Sequence, residues 1–175
     1  ITVYRTEQDS YVDLTITRRK IEVPTVEFRM LDDKTGYVAV SEFDLVTVEQ
    51  FEQAIDELTA KGMKQLVIDL RNNPGGILDS AVAMVDYLLP DDISTYKKGE
   101  GKSLIVYTAD KNQEGETYTA SDGHSVDIPM AILVNGDSAS ASEVFTGAMK
   151  DYDKAVVVGT TSYGKGIVQN LIPLG

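Results

Sequence analysis

Two short apolar runs, each ending in a loop of small residues that opens into a helical pattern, limit most sharply what this chain can fold into. Gln65 to Leu70 leads into Asp69-Leu70-Arg71-Asn72-Asn73-Pro74-Gly75-Gly76, and a helical pattern follows from about Asp79 to Leu89, where Pro90 stops it. Met130 to Val134 leads through Asn135-Gly136-Asp137 into Ser138-Ala139-Ser140-Ala141-Ser142-Glu143. The next helix sets Val144, Phe145, Ala148 and Met149 on one side, and a third apolar run, Ala155 to Val158, comes after it. Strands alternating with helices in this order predict an α/β domain with a mostly parallel or mixed sheet. Gln65 to Leu70 reads as a strand buried on both faces.

The flanking segments read differently. Ile1 to Arg5 and Tyr11 to Arg18 make a first hairpin pattern, and Thr25 to Leu31 with Tyr37 to Glu42 a second, across Asp32 to Gly36. Thr47 is placed to open a helix with Gln50 as its capping-box partner, Phe51, Ala54, Ile55 and Leu58 as its buried stripe, and Gly62 at its end. The polar stretch to about Val126 contains a predicted hairpin, Ser94 to Lys98 against Leu104 to Thr108. Gly166 to Leu171 reads as a last strand.

A chain of 175 residues has one domain's length. Its net charge of −12, with no offsetting basic run, argues against nucleic acid as a partner. With no cysteine there is neither a disulfide framework nor a thiolate metal site, and no His/Asp/Glu cluster has ligand spacing along the chain. The apolar runs are too short to span a membrane. The abrupt start at Ile1 and stop at Gly175 read as a piece of a longer protein, with any membrane anchor or localisation signal outside it.

The two small-residue loops offer different chemistry. Paired glycines after a buried strand can turn backbone N–H groups outward, to hold an oxyanion or an anionic ligand. Alone, Pro74-Gly75-Gly76 reads as a tight turn. Ser140 with Glu143 fits S-x-x-E, and capping is the preferred account of that segment taken by itself. A third feature is Gly164-Lys165-Gly166. A hydroxyl at a strand-to-helix turn and a lysine between glycines suggest a nucleophile and its base. Gln169, four residues on, shares a face with Lys165 in an extended strand, where its amide oxygen could orient the amine. His124, the only histidine, lies in a polar loop and is given no catalytic role.

Taken together, Asp69 to Gly76, Ser138 to Glu143 and Thr161-Ser162-Tyr163-Gly164-Lys165-Gly166-Ile167-Val168-Gln169 resemble the carboxyl-terminal processing (tail-specific) proteases, peptidase family S41. The resemblance covers essentially the whole chain, since Arg19-Lys20-Ile21, Gly36-Tyr37 and the Phe51 helix are also similar. It implies a ClpP/crotonase-like core, mixed and largely parallel with flanking helices, plus the N-terminal β-hairpins. It implies a Ser–Lys dyad with Ser140 as nucleophile, Lys165 as general base and Gln169 orienting it. Lys165 follows Ser140 by 25 residues, the separation the family pattern requires. The oxyanion hole would come from the N–H of Ala141 and of Gly75 or Gly76, a choice left open.

On this reading, residues 1–23 are the junction to a missing peptide-binding PDZ domain, and 24–175 are a catalytic core cut short at its C-terminal end. Polypeptides that are unfolded or have accessible C-termini are the implied substrates, without cofactor or metal. The implied location is extracytoplasmic, in the periplasm or on the outer face of a bacterial membrane, and homo-oligomerisation is left open. A lysine base requires an amine deprotonated near neutral pH, and apolar walls from Tyr163, Ile167 and Val168 are expected to favour that form. Other classes remain in view: a ligand-binding module on the same scaffold, an acyl-coenzyme A enzyme of the crotonase type and, weakest, a metal-dependent hydrolase.

Overall fold

A computed structural model describes residues 1–18, 23–93 and 97–169. The elements in order are β1 (Thr2–Arg5), β2 (Ser10–Asp13), β3 (Val26–Met30), β4 (Thr35–Val40), α1 (Thr47–Ala60), β5 (Gln65–Asp69) and α2 (Leu78–Leu88). They continue with β6 (Leu104–Tyr107), β7 (Thr117–Thr119), β8 (Met130–Val134), α3 (Ala141–Asp151) and β9 (Ala155–Gly159). Among the described residues, strands β1 and β2 pair only with each other, as the first hairpin predicted, and lie outside the core cluster.

The central sheet has the order β3-β4-β5-β8-β9. Strand β3 is antiparallel to β4, and the remaining neighbours are parallel, with Val38, Ile68, Ile132 and Val157 in one register row. Each parallel strand is added on the same side of its predecessor. Right-handed crossovers therefore put α1, α2 and α3 on one face of the sheet. That face carries Val38, Val40, Leu66, Ile68, Met130, Ile132 and Val134, all buried, and the helices answer with Phe51, Leu58, Met84, Leu88, Phe145 and Met149. Phe51 meets Phe145 and Tyr87 edge to face, at centroid separations of 6.5 Å each.

The opposite face is less covered than the sequence suggests. Val67, Ala131 and Leu133 are half-buried, and Val156 and Val158 on the β9 edge are exposed. The apolar run of β5 is thus not buried on both faces among the described residues, because all three crossover helices fall on the same side.

Three local expectations are corrected. Thr47 does not form a capping box with Gln50. The N-cap position is Val46, the Thr47 hydroxyl donates to Glu42 O (3.1 Å) and accepts the Asp44 N–H (2.8 Å), and Gln50 Oε1 takes the N–H groups of Thr25 (2.9 Å) and Val26 (3.2 Å). Gln50 pins the start of β3 to α1. Of the segment expected to pair with β6, the described part, Lys97 and Lys98, lies in a 3-10 turn, Lys97–Gly99. Strand β6 pairs with β7, across a turn in which Asp110 Oδ1 accepts the N–H groups of Asn112 and Glu114. Ser94 to Tyr96 and Arg19 to Ile21 lie outside the described residues. Gly166 to Gln169 carries no strand pairing, and the rest of that expected strand, to Leu171, lies outside them too.

Replacing Phe145, which has no exposed surface and packs against Phe51 of α1 and Phe43 in the loop after β4, tests this packing. Phe145→Ala should lower unfolding free energy by about 3–5 kcal/mol, read as a fall in the urea midpoint.

Candidate active site

Strands β4, β5, β8 and β9 all point the same way, so the loops leaving their C-terminal ends share one edge of the sheet. In open α/β sheets that edge is where ligands bind. Here it gathers Phe43, Asn72 to Gly76, Asn135 to Ser140 and Gly159 to Lys165.

The β5 loop is organised by Asn73, whose side chain is fully buried. Its Nδ2 donates to Val40 O at the end of β4 (2.9 Å), and its Oδ1 accepts the Gly75 N–H (2.9 Å). Its own carbonyl accepts the Ala139 N–H and the Ser142 hydroxyl, each at 3.0 Å. One residue thus joins three loops. Asn72 and Asn135 add a reciprocal pair, N–H to Oδ1 at 2.9 Å and Nδ2 to Oδ1 at 2.7 Å.

The two glycines have separate reasons to be glycine. Gly75, at φ +101°, lies so close to the serine loop that a Cβ there would sit 2.7 Å from Ala139 O and 2.8 Å from Ser140 Cβ. A Cβ on Gly76, at φ +138°, would overlap the Phe43 carbonyl. Gly76 forms a parallel bridge with Phe43, in which Phe43 N–H donates to Gly75 O (2.9 Å) and Ile77 N–H to Phe43 O (2.7 Å). That pattern points the Gly76 N–H away from Phe43. The Gly75 N–H is taken by Asn73, while the N–H groups of Gly76 and of Ala141, the first residue of α3, have no partner among the described residues.

The three serines of the next loop differ in environment. Ser138 and Ser142 are fully buried, and their hydroxyls donate to Leu70 O (2.7 Å) and Asn73 O (3.0 Å). Ser140 is half-buried and has φ 55°, ψ −115°. A non-glycine residue held there costs about 1–3 kcal/mol and persists only where its surroundings impose it. Of the three, Ser140 alone combines this strain with access to solvent at a helix N-terminus, where α3 offers free N–H groups and the positive end of its dipole.

Lys165 lies in an irregular segment after β9. Asn72, Pro74, Asp137, Ala139, Tyr163 and Lys165 line an open cleft of about 380 Å³, which puts the lysine on the same cleft as the neighbour of Ser140. The expected apolar walls are not there: Tyr163, Ile167 and Val168 are 69%, 62% and 56% exposed. Gln169 is exposed and makes no hydrogen bond to Lys165, since Gly166 to Gln169 has no strand to fix its faces. Glu143 holds the segment instead. Its carboxylate accepts the N–H groups of Ser140 (2.9 Å), Gly164 (2.6 Å) and Lys165 (2.9 Å) and the Ser162 hydroxyl (2.7 Å). Burial pushes the Glu143 carboxyl up, but these four hydrogen bonds outweigh it and hold it below the usual carboxylate range.

Asn73, Asn135 and the wider role of Glu143 escaped the sequence reading. Asn73 before Pro-Gly-Gly carried an Asx-turn signal, but its reach to Val40 and Ser142 is tertiary. The fold also gathers Asp86, Asp91 and Asp122, absent as a cluster along the chain, with carboxylate oxygens within 4.8 Å. They receive the N–H groups of Ser121, Gly123 and His124, among others, and anchor that loop.

A helix-faced, largely parallel sheet, with a strained serine at the start of α3 and a lysine on the adjoining cleft, makes this an α/β domain whose loops converge at one sheet edge. The chain belongs to peptidase family S41, whose sequence model matches residues 34–175. It is 42% identical over 159 residues to a probable CtpA-like serine protease of Staphylococcus saprophyticus, covering 90% of this chain and 30% of the relative. It is 39% identical to one from Staphylococcus aureus, covering 97% of this chain and 32% of that protein. The chain therefore spans about a third of the length of these curated relatives. Among solved structures it resembles the photosystem II D1 C-terminal processing protease, with a TM-score of 0.72 at 28% identity, covering 94% of this chain and 43% of that one. A putative S41 protease from Bacteroides fragilis, at 20% identity and a TM-score of 0.62, shares the fold.

Two outcomes follow from these contacts. Asn73→Ala leaves Val40 O and the Gly75 N–H buried without a partner, and should cost about 1–3 kcal/mol per group in chemical unfolding. Because the folded-state pKa of Glu143 lies below its ordinary 4.5, its contribution is complete above that pH and is lost as pH falls through the lower folded value. The stability difference between wild type and Glu143→Gln should be constant from pH 6 to 8 and shrink below about pH 4.5, measured by thermal unfolding across pH.

Proposed function

We propose that this chain carries the catalytic core of a serine endopeptidase that uses a Ser140–Lys165 dyad on unfolded or C-terminally exposed polypeptides. The observation that carries the reading is the backbone of Ser140, strained and accessible at the start of α3 while both neighbouring serines are spent on structural hydrogen bonds. Membership of family S41 and the likeness to a C-terminal processing protease support the reaction type and the substrate class.

In this mechanism Lys165 Nζ, as the free amine, takes the Ser140 hydroxyl proton while Oγ attacks the scissile carbonyl. The tetrahedral oxyanion is held by the Ala141 N–H and the Gly76 N–H. Gly76 is preferred to Gly75 because the Gly75 N–H is already engaged by Asn73. Lys165 then protonates the leaving amine, and the acyl-enzyme is hydrolysed by water with Lys165 again as base. Gln169 is assigned the orienting of Lys165 Nζ, for which residues 166–169 must turn toward the dyad as substrate binds. An apolar groove of about 260 Å³ between β6 and α3, lined by Leu104, Val106, Val144 and Ala148 and bounded by Glu143, suits an apolar substrate side chain beside the nucleophile. An extracytoplasmic location is part of the same proposal.

Cleavage of a disordered protein, with product termini read by mass spectrometry, tests the reading. Ser140→Ala and Lys165→Ala should each reduce turnover by at least about 10³-fold with the fold retained, and Gln169→Ala should have a smaller effect. Undiminished cleavage by folded Ser140→Ala overturns it.

A further inference from the structure

We infer that Glu143 is a positioning residue for the dyad: its carboxylate clamps the loop carrying Lys165 onto the end of the helix that carries Ser140. The inference rests on the Ser–Lys reading and adds to it the element that sets the distance between the two groups.

A Glu at the third position of a helix satisfies a capping box by accepting one N–H, that of the N-cap residue. Glu143 does this with Ser140, yet three of its four donors come from Ser162, Gly164 and Lys165, about twenty residues on. Oε1 takes Ser162 and Gly164, while Oε2 takes Ser140 and Lys165. One oxygen therefore joins the backbone N–H of the nucleophile to that of the base.

Little else restrains the lysine. From Thr160 to Gln169 the chain has no regular secondary structure, and among the described residues its other backbone tethers to the core are Thr160 N–H to Val134 O (3.3 Å) and Tyr163 N–H to Ser138 O (3.0 Å). Both precede Gly164, which sits at φ 88°. Tyr163, Ile167 and Val168 are exposed and add little packing. With Glu143 removed, nothing among these contacts fixes Lys165 relative to Ser140. A displacement of about 1 Å in a reacting group costs on the order of 10²-fold in rate.

The chemistry of the clamp is specific to a carboxylate of this length. All four partners are donors, so an acceptor-only group with two oxygens is required. A glutamine would turn an NH2 toward N–H or O–H donors at one of the two positions. An aspartate, shorter by one methylene, would not span both Ser140 and the 162–165 loop.

The test compares wild type, Glu143→Gln, Ser162→Ala, Lys165→Ala, Ser140→Ala and Glu143→Gln/Lys165→Ala. It measures kcat and KM for a fluorogenic peptide and the rate at which a fluorophosphonate labels Ser140, with circular dichroism and Tm reporting the fold. Glu143→Gln should lower kcat about 10²-fold with KM changed less than about threefold. Ser162→Ala, which removes one donor and keeps the carboxylate, guards against a simple failure to fold and should lower kcat about three- to tenfold at unchanged Tm. If Glu143 acts through Lys165, the double variant should label no more slowly than Lys165→Ala alone.

The clamp is overturned if Glu143→Gln keeps full kcat, if its loss lies wholly in KM or tracks the unfolded fraction, or if its effect multiplies with that of Lys165→Ala. Retained activity in Ser140→Ala or Lys165→Ala, or a wild type that neither cleaves nor labels, instead removes the Ser–Lys reading and the clamp with it. The two failures differ, because loss of the clamp alone leaves Ser140→Ala and Lys165→Ala inactive beside an active Glu143→Gln.

Discussion

The buried amide of Asn73 is the interaction on which the arrangement of the site depends. A primary amide in an apolar interior is costly unless both its donor and its acceptor are satisfied. Asn73 meets that demand by reaching Val40 in one direction and Gly75 in the other, while its carbonyl receives the serine loop. Loops from β4, β5 and β8 are thereby fixed to one another by hydrogen bonds with no exposed surface to exchange with water. Within that closure Gly75 approaches Ser140 too closely for any Cβ, and Ser140 holds its strained backbone.

Around this fixed centre the site has a stiff half and a soft half. The stiff half is the start of α3, with Ala141 buried, Ser138 and Ser142 bonded inward, and Phe145 anchoring the helix against Phe43 and Phe51. The soft half is the segment after β9, where Lys165 stands on a backbone held mainly by one carboxylate. Tyr163, Ile167 and Val168 are exposed and do not form the apolar enclosure expected around Lys165. The start of α3 is thus held by buried packing, and the Lys165 segment by a few hydrogen bonds.

The places where sequence reasoning failed share a cause. Thr47 and Gln50 satisfied a capping-box pattern, but Gln50 was taken by β3, twenty-odd residues earlier in the chain. Strand β6 found a partner in Thr117–Thr119, which the local pattern had not marked as a strand. The β5 run looked doubly buried, yet right-handed crossovers in a sheet that grows in one direction cover a single face. In each case a local pattern was sound, and a non-local partner decided between equally local options.

The sequence alone determined the strands (β7 excepted) and helices of the central domain, its mixed and largely parallel sheet, the two small-residue loops and the residues Ser140, Lys165, Gln169, Gly75, Gly76 and Ala141 as candidates. The elements and loops follow from periodicity and turn chemistry, which are properties of neighbouring residues, while the assignment of these residues to a site rests on the resemblance to the carboxyl-terminal processing proteases. Tertiary structure alone distinguished Gly76 from Gly75, because only the fold shows Asn73 engaging one N–H and leaving the other free. It also separated Ser140 from Ser138 and Ser142 on physical grounds, and gave Glu143 its reach across to Lys165. Those distinctions depend on which donors and acceptors meet across loops from different strands, and such meetings are fixed by packing, not by spacing along the chain.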